Sequence, residues 1–264
     1  MANQTYPNQV LENRFEDQYN SKLDLMQFCT VDDSLVGVAG DKKVINTYTA
    51  TDGTEVLAMG EGNTKDIEVS YEAKEYTIEL LQNRFTYYDE EAMRDPLVVE
   101  KGVSHGVVDM FNTANRKAMA EFNKATLTVP GITSFDFNAF VDGAALIPFE
   151  GEDVPVFALC NKDDVKEIRK NLKDSLQYVE SYARTGYIGN VNAVSINISN
   201  EVPAGTIILA TKKAVTYFRK KGTEVEQDRN PDTRKNQVWH RQIGIFAFTD
   251  ATQAVKLTKG AYIS

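Results

Sequence analysis

The sequence has only two cysteines and two histidines, and it lacks the usual motifs of catalytic or metal sites. Cys29 and Cys160 lie far apart without a C-x-x-C spacing, so neither a disulfide framework nor a zinc site is indicated. His105 and His240 have no cysteine or acidic pattern beside them, and we interpret them as structural or surface residues. The chain contains no G-x-S-x-G, no G-x-x-x-x-G-K-[ST] and no G-x-G-x-x-G after a strand. We therefore predict no catalytic residue, no metal site and no cofactor.

Long apolar runs and a basic excess are also missing. No run approaches the roughly 20 residues of a membrane span, and the N-terminus, MANQTYPNQ, lacks the charged-then-apolar signal pattern. The formal net charge is −9 at pH 7, whereas neutralising nucleic-acid phosphates requires a broad basic face. We therefore expect an intracellular protein that has no membrane partner and does not read nucleic-acid sequence directly.

The clearest positive feature is an amphipathic pattern between Asp95 and Lys124. Asp95 is a good helix N-cap, and Pro96 suits the first helical position. Apolar residues recur every three or four positions and predict one helix of roughly 40 Å, which is long for a compact domain. The apolar stripe consists of Val99, Val103, Val107, Phe111, Ala114, Ala118 and Phe122. Gly102 and Gly106 inside this helix indicate that another element approaches it closely.

Before the helix, the apolar period changes to two, which predicts strands. The runs 42–49 and 55–59 predict a β-hairpin joined by an Asp52-Gly53 turn. Both faces of this hairpin mix polar and apolar residues, so it has no core side and needs another surface to rest on. Residues 67–85 predict one long strand that bends where its alternation changes parity.

After the helix, the pattern alternates between strands and shorter helices, which is typical of a compact α/β unit. One helix begins at Ser134 or Asp136, and another over 161–173 has Val165, Ile168 and Leu172 facing inward. Further strands are predicted at 126–129, 154–160, 191–198, 206–211, 237–248 and 255–257. A polar loop is predicted around 226–232.

The order of these elements resembles that of the major capsid proteins of tailed bacteriophages. Four segments carry the resemblance. VAGDKKVINTYTATDGTEVLAMGEG resembles the extended loop of that fold, and DPLVVEKGVSHGVVDMFNTANRKAMAEF resembles its spine helix. GYIGNVNAVSINISNEVPAGTIILATKKAV is similar to strands of the axial domain, and DRNPDTRKNQVWHRQIGIFAFTDATQAVKL is similar to the closing segment. The resemblance covers nearly the whole chain and rests on element order more than on any single motif.

The resemblance implies an α+β capsid fold built from four parts. The expected parts are an N-terminal arm at 1–36, an extended β-hairpin loop at 37–75, a peripheral domain at 76–136 and 242–264 with its spine helix at 96–124, and an axial α/β domain at 137–241. Copies would cluster through the axial domain into pentamers and hexamers of an icosahedral shell around double-stranded phage DNA. The arm and the extended loop would lie over neighbouring copies. The expected location is the virion, after assembly in the bacterial host cytoplasm.

The resemblance also implies where copies meet and what else they meet. Candidate inter-subunit contact residues are Phe15, Tyr19, Lys42, Lys43, Tyr48, Asp52, Gly53, Glu61, Arg229, Asp232 and Arg234. Expected partners are other copies of the chain, a portal, a decoration protein in some shells, and packaged DNA held without sequence-specific contact. Because the hairpin begins near Lys42, we expect any scaffold to be a separate protein.

Some capsid proteins cross-link an extended-loop lysine to an asparagine of a neighbouring copy, with a glutamate assisting. The lysines in the matching region are Lys42, Lys43 and Lys65. No asparagine or glutamate of this sequence can be matched to the other two roles. We therefore predict that the chain forms no cross-link.

Three alternatives remain open at this stage. An encapsulin-like compartment shell shares the capsid fold and holds cargo enzymes, and the pattern from Val10 to Met26 could form an inner helix that receives a cargo peptide. An enzyme could be built on the strand-helix unit with Asp163, Asp164 or His240 in its site. A β-rich tail or decoration protein is a third possibility, and the long helix counts against it.

Overall fold

The computed structural model describes residues 24–148, 155–172 and 189–260. Most of the predicted arm, with Phe15 and Tyr19, lies outside the described residues. The described helices are α1 (Asp89–Arg94), α2 (Leu97–Phe122), α3 (Phe137–Ala145) and α4 (Lys162–Asn171), with 3-10 turns at Leu25–Phe28 and Ala251–Gln253. The described strands are β1 (Thr30–Asp32), β2 (Lys42–Ala50), β3 (Val69–Thr77), β4 (Glu79–Tyr88), β5 (Leu127–Thr128), β6 (Phe157–Cys160), β7 (Asn190–Val191), β8 (Val194–Ile198), β9 (Thr206–Ala210), β10 (Val215–Asn230), β11 (Lys235–Phe248) and β12 (Ala254–Thr258).

The described strands form three sheets, and the predicted α+β class is confirmed. A four-stranded sheet has the order β1-β10-β11-β4, and a six-stranded sheet has the order β5-β12-β9-β6-β8-β7. Strands β2 and β3 pair only with each other and make an antiparallel hairpin. The predicted boundary between residues 241 and 242 falls inside β11, and β12 belongs to the six-stranded sheet. The division into axial and peripheral domains stays a prediction.

The long helix α2 confirms the amphipathic pattern. It spans 26 residues, and the carboxylate of Asp95 accepts the Leu97 N–H at 3.0 Å beside the helix start. Every residue of the predicted apolar stripe is buried. The two glycines do mark a close approach, since the Phe85 ring lies against Gly102 and the His240 ring lies against Gly106. Strand β4, which carries Phe85, and strand β11, which carries His240, therefore pack directly onto the helix backbone.

The compact strand-helix unit is also present. Asp136, rather than Ser134, caps α3 by accepting the Ala139 N–H at 3.0 Å. Asn161 caps α4 by accepting the Asp163 N–H, and the predicted inward residues Val165, Ile168 and Leu172 are buried. They share a core with side chains of β6, β9 and β12, so α3 and α4 cover the six-stranded sheet.

The predicted hairpin pairing was wrong. Strand β2 pairs with β3, with Ala50 opposite Val69, and residues 55–59 form no strand. The two nine-residue strands offer a longer ladder than the short run 55–59. Apolar residues of both strands also pack near Leu35 and Phe218, which fixes β3 as the partner.

Three other strand predictions need correction. The expected strand 67–85 divides at Ile78 into β3 and β4, and the Ile78 N–H donates to the carbonyl of Asp41 at 2.8 Å. The expected strand 191–198 is a tight hairpin, because Asn192 and Ala193 adopt left-handed backbone angles between β7 and β8. Most of the predicted polar loop 226–232 belongs to β10, which stays paired with β11 as far as Asn230.

Candidate assembly surfaces

The β2–β3 hairpin carries apolar and aromatic side chains that its own subunit leaves exposed. The side chains of Tyr48 and Tyr71 are 66% and 70% exposed, and their ring centroids lie 6.2 Å apart across the two strands. Val44 and Val69 are exposed on the same two strands. Exposed apolar groups gathered on one element mark surfaces that bind other proteins. The outer part of this hairpin is therefore a candidate contact surface.

The hairpin tip, residues 51–68, is acidic and has a defined shape. It contains five acidic residues and one lysine. The carboxylate of Glu55 accepts the hydroxyl and the N–H of Thr64 at 2.6 and 2.7 Å, and these bonds lower the pKa of Glu55. Val56 and Met59 are fully exposed on the same tip. The tip thus presents two apolar side chains within a negatively charged frame.

Three predicted contact residues, Asp52, Gly53 and Glu61, lie on this tip. Two of them, Gly53 and Glu61, have contacts within their own subunit. Asp52 is exposed, whereas Gly53 is buried against Ile67, so a Cβ at Gly53 would lie 2.6 Å from Cγ1 of Ile67. The carboxylate of Glu61 accepts the Ala58 N–H at 3.2 Å. Whether these residues touch another copy stays a prediction.

The base of the hairpin is fixed to the body of the subunit. Tyr76 donates its hydroxyl to the carbonyl of Phe248 at 3.1 Å. The Lys43 ammonium lies 4.7 Å above the Phe218 ring, which is a cation–π distance. Lys42 forms a 3.0 Å ion pair with Glu75 of the opposite strand. The structure therefore gives Lys42 and Lys43 contacts within their own subunit, and an additional inter-subunit contact stays a prediction.

A second candidate surface is the β10–β11 turn, where the predicted residues Arg229, Asp232 and Arg234 come together. Residues 231–234 connect the end of β10 to the start of β11. The Asp232 N–H donates to Oδ1 of Asn230 at 3.0 Å. Arg234 has a left-handed backbone and pairs with Glu90 of α1 at 2.6 Å, with both side chains at least half exposed. The turn and α1 thus form one polar surface at the end of the four-stranded sheet.

Asp89 holds this turn in place through hydrogen bonds to Arg229 and Arg234. Its carboxylate accepts a 2.9 Å bond from Arg229 and a 2.6 Å bond from the amide of Asn236. The Asp89 N–H also donates to the carbonyl of Arg234 at 3.1 Å. The Asp89 side chain is only 10% exposed, and the Arg229 guanidinium compensates its negative charge inside the fold. The sequence did not indicate the pairing of Asp89 with Arg229, since the two residues lie 140 positions apart along the chain.

The two arginines provide a matched test of this arrangement. We expect Arg229→Ala to lower the free energy of unfolding by about 2 kcal/mol, because it leaves the Asp89 charge buried with less compensation. We expect Arg234→Ala to cost less than about 1 kcal/mol, since it removes an exposed ion pair. Urea unfolding of the unassembled subunit measures both changes. Equal losses in the two variants would contradict the burial argument.

Other exposed apolar side chains were not anticipated from the sequence. Met93 and Leu97 lie exposed near the junction of α1 and α2, and Phe137 and Val141 lie exposed on α3. Their signal in the sequence is an apolar residue on the outward face of an amphipathic helix. They are further exposed apolar positions outside the hairpin.

The residues of the enzyme alternative do not form one site. Asp164 lies on α4 and accepts the Gly205 N–H through both carboxylate oxygens, at 3.0 and 3.1 Å. Burial raises the pKa of Asp164, and the Gly205 bond opposes that rise. Asp163 is exposed, and His240 lies on β11 in the other sheet. Asp164 therefore acts as a structural anchor for the loop before β9.

Two other kinds of feature, a metal site and a membrane-spanning helix, are absent from the described residues. Within 24–148, 155–172 and 189–260, no three His, Cys, Asp or Glu side chains gather as a metal site would require. None of the helices in that part of the chain combines the length and apolar character needed to cross a bilayer.

Comparisons with known proteins agree with this picture. No protein-family model matches the chain. The major capsid protein of Staphylococcus phage phiMR11 is 26% identical over 272 residues, covering 98% of this chain and 95% of the relative. This chain is a homologue of a phage major capsid protein. Its relationship to that protein spans nearly the full length of both chains.

Solved structures show the same capsid fold. The capsid structure of cyanophage P-SCSP1u matches with a TM-score of 0.67 at 13% identity, covering 90% of this chain and 89% of that one. A virus-like particle from Pyrococcus furiosus matches with a TM-score of 0.63 at 11% identity, covering 94% of this chain and 98% of that one. The fold is therefore shared by phage capsids and by a virus-like particle. The phage capsid homologue favours the structural capsid role over the encapsulin-like alternative.

Proposed function

We propose that this chain self-assembles through pentamers and hexamers into an icosahedral shell that encloses the double-stranded DNA genome of a tailed phage. The role is structural, with no catalytic step assigned to the chain. The shell is the capsid of the virion, and its copies assemble in the cytoplasm of the bacterial host. A portal and a separate scaffolding protein are the expected partners, and some shells carry a decoration protein.

The observation that carries the proposal is the exposed β2–β3 hairpin. Among the residues that the structure describes, both nine-residue strands pair only with each other, and their outer halves contact no core of the subunit. A two-stranded ribbon of this kind is marginally stable by itself in water. A neighbouring copy would cover Tyr48, Tyr71 and the apolar side chains of the tip. In a closed ring, every copy would make this contact, because each hairpin would lie on the same surface of the next copy.

The charge of the chain supports DNA packaging without tight binding. The net charge of −9 makes a uniform attraction to phosphates unfavourable. A shell with this balance confines DNA by its walls instead of binding the phosphates. Contacts to DNA are then independent of base sequence.

Particle mass and content test the proposal together. The chain is expressed alone and with its adjacent phage genes, and the purified product is measured by light scattering and treated with nuclease. We expect particles far larger than the 29.5 kDa subunit, and nuclease-protected DNA when the packaging genes are present. Particles that contain a co-purified enzyme and no protected DNA would indicate an encapsulin-like compartment instead. A monomer or dimer under all conditions would contradict shell assembly.

A further inference from the structure

Two strands of the four-stranded sheet carry a basic face on the side away from α2. Phe85 and Tyr87 of β4 and Val238 of β11 pack with α2. Because successive side chains of a strand alternate, the even-numbered positions 80–88 of β4 and the odd-numbered positions 235–243 of β11 lie on the opposite side. These ten positions, which we call the basic face, contain no acidic residue. Three of them are cations, namely Arg84, Lys235 and Arg241.

The basic face is open to solvent and carries residues that protein interfaces use. Leu80, Arg84 and Tyr88 are exposed. The single tryptophan of the chain, Trp239, lies opposite Arg84 in the register of the two strands and is partly exposed. Aromatic residues and arginine are enriched at protein interfaces relative to the remaining surface. The composition of this face therefore favours a protein partner.

Two of the three cations are not neutralised by an acidic side chain in the described part of the chain. Arg241 pairs with Glu226 of β10 at 2.7 Å, whereas Arg84 and Lys235 form no ion pair with a described residue. Asp228 of β10 borders the face on one side, so the positive charge is concentrated on β4 and at the start of β11. A partner that brings carboxylates would balance these charges.

The hairpin tip, residues 51–68, has the complementary character. It contains five acidic residues and one lysine. The side chains of Val56 and Met59 are fully exposed, so they rest on no surface of their own subunit. Methionine is also among the residues enriched at protein interfaces. We propose that the basic face receives the hairpin tip of a neighbouring copy.

In this contact, carboxylates of the tip lie near Arg84 and Lys235, and its apolar side chains cover Trp239. The inference rests on the proposed shell assembly, and it names the surface on which each hairpin lies. Tip and face belong to different parts of one chain, so the contact is heterologous and repeats from copy to copy around a ring. DNA is the other polyanion that a basic face attracts, but its phosphates offer no apolar group for Leu80 or Trp239.

Fluorescence of Trp239 tests the proposal, because no other tryptophan contributes to the signal. Quenching by acrylamide is measured for the unassembled subunit, for empty shells and for DNA-filled shells. We expect the quenching constant to fall by at least about half in both kinds of shell, since the tip shields Trp239 from solvent. Shells in which Trp239 is quenched as in the subunit would overturn the proposal and leave shell assembly intact. A fall only in DNA-filled shells would assign the face to DNA and would also overturn it.

Charge reversal tests whether the tip is the partner. Arg84→Glu with Lys235→Glu reverses the face, and Asp52→Lys with Asp66→Lys reverses two exposed acidic positions of the tip. We expect each double variant to need about tenfold more subunit for assembly, because like charges then meet. The quadruple variant should assemble close to the wild-type concentration, since opposite charges meet again.

Lys101→Glu with Lys166→Glu is the matched control, because both lysines are exposed on helices away from the basic face. We expect it to change the assembly concentration by less than about twofold. Circular dichroism of each unassembled variant checks its fold. A quadruple variant that assembles no better than the two double variants would show that the tip is not the partner of this face. If the wild type forms no shell under any condition, the proposed function and this contact both fail.

Discussion

Replacing residues 52–67 by Asn-Gly should give a folded subunit that no longer forms shells. Thr51 and Glu68 flank the cut, and the Thr51 N–H donates to the Glu68 carbonyl at 3.0 Å, so a two-residue turn can join them. The β2–β3 ladder and the anchored base of the hairpin remain. The apolar and acidic tip that we place on a neighbouring copy is lost. Light scattering should show small species only, and circular dichroism should match the wild-type subunit.

A graded variant separates the apolar contribution from the length of the tip. Val56→Ser with Met59→Ser keeps the tip and its Glu55–Thr64 bonds but removes the two fully exposed apolar side chains. We expect this double variant to assemble at a higher subunit concentration than wild type, because less apolar area is buried between copies. Shells formed by the shortened chain at wild-type yield would contradict the role of the tip.

Gly102→Leu should lower the free energy of unfolding by about 3 kcal/mol, since it overfills the contact between α2 and β4. Phe85 lies so close to Gly102 that even a Cβ collides with its ring. The intrinsic helix propensity of leucine exceeds that of glycine by about 0.8 kcal/mol, so the collision decides the sign. Urea unfolding of the unassembled subunit measures the change.

Lys101→Leu is the matched control for this substitution. It places the same side chain one position earlier on the same helix, where residue 101 is exposed. We expect a change within about 0.5 kcal/mol. If Gly102→Leu were as harmless as Lys101→Leu, the close packing of β4 on the helix would not hold in solution.

The spine helix was the part of the fold that the sequence predicted best. Its stripe is local, so spacing alone identified the buried face from Val99 to Phe122. The two glycines also carried a local signal, because glycine is costly inside a helix unless a neighbour needs the space. Which neighbours fill that space, Phe85 and His240, could not be read from the helix itself.

Strand pairing was predicted less well, since it depends on distant residues. The run 55–59 lies close to β2 in sequence, yet the longer and anchored strand β3 pairs with β2. The sequence at the end of β10 resembles that of a loop, because it contains many charged residues. In the structure Glu226 pairs with Arg241 of the adjacent strand at 2.7 Å, which lets a highly charged segment lie in a sheet.

The candidate contact residues show the same limit. Tyr48 is exposed on a hairpin without a core side, as its alternating surroundings indicated. Arg229 instead has a buried partner, Asp89, and that pairing arises only when β10 and α1 meet in the folded subunit. Local patterns identified exposed segments, whereas the assignment of each charge to a partner required the tertiary structure.

Electron microscopy of the purified assembly tests the central claim most directly. A reconstruction should show a closed icosahedral shell in which the β2–β3 hairpin of each copy lies on a neighbouring copy and buries Tyr48 and Tyr71. Pentamers and hexamers isolated before closure should show the same contact. A monodisperse monomer or dimer in every preparation, or a shell whose hairpins touch no other copy, would contradict the account.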